Sequence, residues 1–171
     1  MADRFEALYQ QHRLQVFRWG LRYGGGSSAW AEDLTHDVFL KLFAALATLD
    51  DQADLAGWLY RVTSNLALRR LGRERSLVGR LRLLVQPPPA TATDQLVERR
   101  EETAAAVAAI NTLPPNERVV LLMVLVDGTS QTEVAHSLGM SKGNVSKLMA
   151  RGRAKLIAAG WGGLDDENSG P

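Results

Sequence analysis

The chain of 171 residues has no cysteine and no long apolar run. Without cysteine it can form neither a disulfide framework nor a thiolate metal site. No apolar stretch reaches the roughly 18 residues that span a bilayer, and the charged, amphipathic N-terminus is unlike a signal sequence. The balance of 46% hydrophobic and 23% charged residues is typical of a globular protein. We therefore expect a cytoplasmic protein with no membrane insertion of its own.

The sequence also lacks the residue clusters that catalysis or cofactor binding requires. Its three histidines, His12, His36 and His136, fall in separate segments without a metal-binding pair. No glycine-rich phosphate loop follows a strand pattern, and His36 beside Asp37 forms no catalytic triad. The prediction is a protein that is not an enzyme and that needs no cofactor.

The net charge is only +1, but the charges are unevenly distributed. Residues 1–56 carry a net charge of −3, residues 57–83 carry +6, and residues 141–155 carry +5. Two separate basic segments suggest two phosphate-binding surfaces on one chain. The alternative is that each basic segment is an ordinary solvated helix face.

The apolar residues of the N-terminal half follow a helical period. A first helix ends at the glycines 24–26, and a second runs from the cap Ser28 to about Leu46. A third helix is predicted from about Leu55 to Arg73, with Asp50, Asp51 and Asp54 as possible caps. Its inward positions are predicted to be Leu55, Trp58, Leu59, Val62 and Leu66.

The C-terminal half is also predicted to be helical. A proline- and threonine-rich linker leads to an alanine-rich helix that ends near Asn111, and Pro115 suits the first turn of the next helix. The apolar stretch from Asn116 to Val126 is predicted to be a buried helix ending at Gly128. A buried strand is the alternative for this stretch.

The stretch QTEVAHSLGMSKGNVSKLMA has the spacing of a helix-turn-helix. Ser130 and Glu133 predict a capping box for the first helix, Gly139 the corner, and Ser141 the cap of the second helix. Four inward-facing residues are predicted: Val134, Ala135, Val145 and Leu148. DNA is the expected ligand, although some helix-turn-helix motifs bind only protein.

These patterns predict an all-α fold of two small helical domains joined by a flexible linker. The first domain is expected at residues 1–85, the linker and the start of the next helix at 86–103, the helix-turn-helix domain at 104–159, and a flexible tail at 160–171.

The order of these segments resembles the extracytoplasmic-function (ECF) sigma factors of bacterial RNA polymerase, the short members of the sigma-70 family. FEALYQQHRLQVFRWGLR, AEDLTHDVFLKLF and GWLYRVTSNLALRRLGRER are similar to region 2 of that family. LPPNERVVLLMVLVDGTSQTEVAHSLGMSKGNVSKLMARGRAKL is similar to region 4. The resemblance implies binding to core RNA polymerase, through the clamp helices of its largest subunit and its flap region, and binding to promoter DNA.

For region 2, the resemblance implies that the second helix docks on the polymerase through Asp33, His36, Asp37 and Leu40. Asp33 and Asp37 lie four residues apart, so they repel each other on an isolated helix and a basic partner would offset that repulsion. The alternative is an ordinary acidic solvated face.

The third helix is the segment that opens the duplex at the −10 element in the family. The candidate DNA-binding residues are Arg61, Asn65, Arg69, Arg70 and Arg73, since arginines bind backbone phosphates. The preceding loop, at about 47–54, is the candidate base-capture pocket. Trp58 is assigned to the core, with a stacking platform as the alternative. Arg69 departs from the family, which usually has an aspartate there.

For region 4, the second helix of the helix-turn-helix is expected in the major groove at the −35 element. Asn144 and Lys147 are the candidates for base edges. The other candidate DNA-binding residues are Ser141, Lys142, Ser146, Arg151 and Arg153. Gly152 is expected to let the end of this helix fray.

The family resemblance and the hinge-like linker also predict an anti-sigma protein that covers both modules. The alternative function is a stand-alone helix-turn-helix transcriptional regulator, which would bind DNA tightly without polymerase.

Overall fold

The computed structural model describes residues 2–49, 54–81 and 105–161, and all regular elements in these ranges are helical. The chain divides into two compact units, Met1–Pro87 and Pro88–Pro171. The prediction of an all-α protein is confirmed. None of the described helices is long and apolar enough to cross a membrane. The predicted linker at 86–103 and most of the predicted tail lie outside the described residues.

The described part of the first unit contains three helices, and each contacts the other two: α1 is Ala2–Tyr23, α2 is Ser28–Ala45 and α3 is Leu55–Leu81. Helix α1 ends where the sequence predicts. Gly25 and Gly26 have positive φ angles of 66° and 86°, and a Cβ on Gly24 would overlap the Trp30 ring. The three consecutive glycines therefore allow a tight turn that brings α2 back against α1.

The predicted cap of α2 was wrong by one residue. Ser27 is the N-cap, its Oγ accepting a hydrogen bond from Trp30 N at 3.3 Å, whereas Ser28 is already helical. Two adjacent serines offer the same capping group, and only the course of the backbone selects one of them. At α3, Asp54 Oδ1 accepts from Gly57 N at 3.0 Å, as expected for a capping residue.

Helix α3 differs from the prediction in its end and in its buried face. It continues past Arg73 to Leu81, because the intervening residues are mostly good helix formers. The buried face consists of Leu59, Thr63, Ser64, Ala67 and Leu71. The other predicted inward residues are only half-buried: Leu55, Trp58, Val62 and Leu66.

Two hydroxyl residues explain why the apolar period misplaced the inner face of α3. Thr63 Oγ1 donates to Leu59 O at 2.7 Å, and Ser64 Oγ donates to Tyr60 O at 2.9 Å. Hydroxyls that bond to the preceding turn can be buried at little cost. Ser64 also lies 2.9 Å from the hydroxyl of the buried Tyr23. Burial raises the pKa of Tyr23 well above its usual range and favours the neutral phenol, while the hydrogen bond with Ser64 acts in the opposite direction.

The second unit contains the helical residues 105–110 (α4), α5 at Pro115–Leu121, α6 at Gln131–Leu138 and α7 at Lys142–Ala158. Pro115 occupies the first turn of α5, as predicted. The predicted apolar helix to Val126 is present, but its last part, Leu122–Val126, is a wider π-helical turn rather than α-helix. Val119, Val120, Leu121, Leu122 and Met123 are fully inaccessible, whereas Val124 and Leu125 are half-buried and Val126 is exposed.

The expectation that Gly152 frays the end of α7 was wrong. Gly152 is buried, and a Cβ at this position would overlap Leu121 Cδ1 and lie 3.5 Å from Glu117 Cβ. The glycine therefore lets α7 approach α5 closely, and the conformational penalty of glycine in a helix is offset by this packing.

We predict that Gly152→Ala lowers the thermal stability of the second unit. Overpacking of a filled core costs about 1–3 kcal/mol, which outweighs the helix-propensity gain of about 1 kcal/mol from alanine. Gly143→Ala is the matched control on α7, because a Cβ there meets nothing within 4 Å. Circular dichroism melts should show a lower midpoint for Gly152→Ala and an equal or higher one for Gly143→Ala. A higher midpoint for Gly152→Ala would contradict the close-packing account.

Candidate nucleic-acid and protein interfaces

The first helix of the predicted helix-turn-helix begins with the predicted capping box. Ser130 Oγ accepts from Glu133 N at 3.2 Å, and Glu133 Oε2 accepts from Ser130 N at 3.0 Å and from its hydroxyl at 2.7 Å. The hydrogen bonds from the Ser130 hydroxyl and backbone lower the pKa of Glu133. Val134 and Ala135 are buried on the inner face of α6, as predicted.

The corner between α6 and α7 also has the predicted geometry. Gly139 has a φ of +63°, and Met140 N donates to Ala135 O at 2.9 Å, which closes a Schellman-type turn. Ser141 Oγ then accepts from Asn144 N at 3.2 Å and caps α7. These local hydrogen bonds fix the direction in which α7 leaves the corner.

Helix α7 buries one face and exposes the other. Val145 and Leu148 are buried, as predicted. Most of the candidate DNA-binding residues of this segment are exposed: Ser141, Lys142, Asn144, Ser146, Lys147 and Arg151. Arg153 is half-buried. The outward face at the start of α7 is therefore free of bulky apolar groups and carries two lysines.

Lys155, which contributes to the basic segment of the sequence, forms an ion pair within the unit. Its Nζ lies 2.9 Å and 2.8 Å from the two carboxylate oxygens of Glu117 on α5. The Glu117 side chain is 8% exposed, so its charge would be costly without this partner. The pair lies beside Gly152, and together they attach the middle of α7 to α5.

The candidate DNA-binding residues of α3 occupy different environments. Arg69 and Arg73 are exposed, whereas Arg61 and Asn65 are half-buried. Asn65 Nδ2 donates to Arg61 O at 2.8 Å, so part of its amide is engaged by its own helix. Of the predicted base-capture loop, residues 50–53 lie outside the described part of the chain. Trp58, assigned to the core, is half-buried.

Arg70 faces α2 rather than solvent. Its Nη2 lies 2.7 Å from Asp33 Oδ2, its Nη1 lies 3.8 Å from Asp37 Oδ2, and its Nε lies 3.4 Å from Glu74 Oε1. The guanidinium also lies 5.4 Å from the Trp30 ring, whose Nε1 donates to Glu74 at 2.7 Å. We call these five residues the Arg70 cluster. The repulsion between Asp33 and Asp37 that the sequence predicts is thus already offset within the chain.

The other two candidate polymerase-binding residues, His36 and Leu40, are exposed on α2 beside an apolar groove. The groove lies between α1 and α2 and has a volume of about 890 Å³. Its apolar lining residues are Phe5, Tyr9, Leu14, Phe17, Phe39, Leu40 and Phe43. Leu14, Leu40 and Phe43 are each more than half exposed. An exposed apolar surface of this kind, flanked by charges, is typical of a protein-binding site.

Two contacts at these surfaces could not be found by sequence reasoning. The separation between Glu117 and Lys155 is 38 residues, and that between Asp33 and Arg70 is 37 residues. No periodic pattern indicates which acid meets which base across such separations. The only sequence signal was a basic residue and an acidic residue, each on its own helix.

This geometry defines a helix-turn-helix protein: the described residues form two helical units, and the second contains a capped helix-turn-helix with cationic side chains on its outward face. The comparisons with known proteins agree. The model for Sigma-70 region 2 matches residues 8–77, and the model for Sigma-70, region 4, matches residues 103–156. The chain belongs to the sigma-70 family of RNA polymerase sigma factors, in its ECF group.

Individual relatives support this assignment. The ECF RNA polymerase sigma factor SigM of Mycobacterium tuberculosis is 31% identical over 152 residues, which are 89% of this chain and 74% of the relative. SigE of Mycolicibacterium smegmatis is 30% identical over 159 residues, and this chain spans only 60% of its length. The crystal structure of the sigma factor RpoE from Bartonella quintana, in complex with the anti-sigma factor NepR, has the same fold. Its TM-score is 0.64 at 18% identity, over 90% of this chain and 94% of that one.

We predict that Arg70→Gln destabilises the first unit, because it leaves three carboxylates without their shared counter-ion. The expected loss is about 1 kcal/mol in low salt, typical of a partly exposed charge network with a cation–π contact, and less in 1 M salt because of screening. Arg69→Gln is the matched control: it removes the same charge from the next residue, which is exposed. Equal melting midpoints for the two variants at low salt would show that the Arg70 cluster contributes nothing to stability.

Proposed function

We propose that this chain is an ECF-type sigma factor that binds core RNA polymerase and directs promoter recognition and DNA melting in transcription initiation. The observation that carries the proposal is the outward face of α7, with Lys142, Asn144 and Lys147 exposed at the start of a well-capped recognition helix. Membership of the sigma-70 family supports the −10 and −35 promoter elements as the DNA that this chain binds. On this proposal the chain acts in the cytoplasm, contributes to initiation and performs no chemical step itself.

We assign polymerase binding to α2 and the apolar groove beside it. Leu40 and Phe43 are 55% and 54% exposed, and burying such side chains against a partner would be favourable. Asp33, His36 and Asp37 lie on the same helix and supply charge for orientation. The Arg70 cluster would hold the two aspartates in place before the polymerase arrives, which lowers the entropic cost of docking.

We assign promoter binding to one surface on each unit. The proposed −10 surface is helix α3, with Arg61, Asn65, Arg69 and Arg73. On this proposal Arg70 does not contact phosphate; its ion pairs hold α3 in position against α2. Helix α7 is the proposed −35 surface. We retain residues 1–85 and 104–159 as the two functional modules, joined by a linker at 86–103.

We further propose that an anti-sigma protein regulates this chain. The apolar groove of the first unit supports this idea, since an anti-sigma protein that fills the groove would block polymerase. The sigma factor RpoE of similar fold was crystallised with such a partner. On this proposal, the inhibitor and core polymerase compete, and a stable ternary complex would contradict simple occlusion.

The rival function is a stand-alone helix-turn-helix regulator. It predicts tight DNA binding by the chain alone and no specific retention by core polymerase. The exposed apolar residues of α1 and α2 favour the sigma-factor proposal, because a regulator that acts alone has no evident use for them unless it dimerises there.

We predict that Asp37→Arg weakens binding to core RNA polymerase by at least tenfold, because it reverses a charge at the proposed interface; loss of an interfacial charge pair costs about 2–5 kcal/mol. Leu40→Ser should also weaken binding, and it should leave stability nearly unchanged because Leu40 is mostly exposed. Glu6→Arg, an equal charge change at an exposed position of α1 outside the groove, is the control. A pull-down with core enzyme measures all three. Retention that is indifferent to Asp37→Arg and Leu40→Ser would refute the assignment.

We predict that Asn144→Ala and Lys142→Gln change promoter binding in different ways. Asn144 is exposed, and its cap hydrogen bond uses only its backbone N, so the substitution leaves the fold intact. It should relax preference at one base pair of the −35 element by about 1–3 kcal/mol. Lys142→Gln should weaken binding to all sequences alike. Binding of holoenzyme to a randomised promoter library distinguishes the two effects, and an unchanged base preference in Asn144→Ala would contradict the proposed base contact.

A further inference from the structure

Helix α7, the proposed −35 helix, is attached to α5 at a point far from the residues that face DNA. Lys155 Nζ lies 2.9 Å and 2.8 Å from the two carboxylate oxygens of Glu117. We propose that Glu117 is a positioning residue for promoter recognition: through Lys155 it fixes the angle of α7, and thereby the place at which Asn144 meets a base. The inference rests on the proposed function, in which α7 reads the −35 element.

The burial of Glu117 indicates a role other than stability. Among the residues that the structure describes, it is the only charged residue that is buried. Its side chain is 8% exposed, whereas that of Lys155 is 50% exposed. A well-packed apolar pair is often as stable as a buried ion pair, or more stable. What the ion pair adds is a fixed geometry, because the ammonium group must stay within reach of both carboxylate oxygens.

The position of this contact along α7 makes it effective as an anchor. Lys155 is 14 residues beyond the cap Ser141, which is about 21 Å along a helix. A pivot of about 10° at the corner would move Lys155 by about 4 Å and Asn144 by about 0.8 Å. A binding site holds its geometry only within about 0.5 Å. A pivot large enough to spoil the base contact would therefore have to break the ion pair first.

Gly152 and the ion pair constrain α7 in different ways. A Cβ at Gly152 would overlap Leu121 Cδ1 and lie 3.5 Å from Glu117 Cβ, so the glycine sets how closely α7 approaches α5. Apolar contacts of this kind are not directional and leave the angle between two helices poorly determined. The Glu117–Lys155 pair supplies the directional contact that the apolar packing lacks.

The test replaces the ion pair by apolar side chains of similar length, in the double variant Glu117→Met/Lys155→Met. Its melting midpoint should equal or exceed that of the wild-type chain. The preference for one base at the pair facing Asn144 should nevertheless fall about fivefold or more, as when a base contact is lost. Binding of holoenzyme to a randomised promoter library measures this preference. Lys155→Arg is the conservative variant: its guanidinium can bind the same carboxylate, so the wild-type preference should be retained.

A second measurement follows the angle of α7 without DNA or polymerase. The chain has no cysteine, so spin labels can be attached selectively through Thr132→Cys on α6 and Ala158→Cys at the end of α7, which are both exposed positions. Pulsed electron paramagnetic resonance should give a narrow distance distribution when the ion pair is intact. The distribution should broaden in the methionine double variant.

An unchanged base preference or an unchanged distance distribution in the methionine double variant would overturn the proposal. A loss of preference together with a lower melting midpoint would also overturn it, since general destabilisation would then explain the loss. So would a salt dependence of log K that becomes less steep by about 0.9, because Lys155 would then be a phosphate contact. A wild-type holoenzyme without any base preference at the −35 element would refute the proposed function, whereas the distance distributions would still test the anchor.

Discussion

The outward face of α7 can serve recognition only because its opposite face is held firmly against α5. Gly152 permits the close approach, and the Glu117–Lys155 ion pair lies beside it. The corner at Gly139 sets the direction in which α7 starts, but a short turn alone would leave the helix free to pivot. A recognition helix that pivots loses the fixed geometry that discrimination between bases needs. The packing on α5 is therefore part of the proposed DNA-binding site, although none of its residues faces DNA.

Two adjacent cations of α3 have different environments in the first unit. Arg69 and Arg70 are adjacent in sequence, yet Arg70 meets three carboxylates while Arg69 is exposed. Adjacent residues on a helix point about 100° apart, so this separation follows from helix geometry once α2 is in place. It also means that the net charge of a segment is a poor guide to function, because some of its charges are neutralised internally.

An apolar groove and the Arg70 cluster thus lie on one helical unit and share helix α2. The two carboxylates proposed for polymerase binding share Arg70 with α3, the helix proposed to contact the melted strand. On that proposal, Arg70 holds the helix that docks on polymerase and the helix that contacts DNA in one fixed arrangement.

The sequence by itself determined the helices, the capping box at Ser130, the corner at Gly139 and the exposed face of α7, because each depends on contacts within a few residues. It misplaced the cap of α2 and the inner face of α3, where two adjacent serines and two buried hydroxyls gave no distinguishing local signal. The roles of Arg70, Gly152 and Lys155 were decided only by the tertiary structure. Each depends on a partner on another helix, and a local pattern determines which residues share a face but not what that face meets.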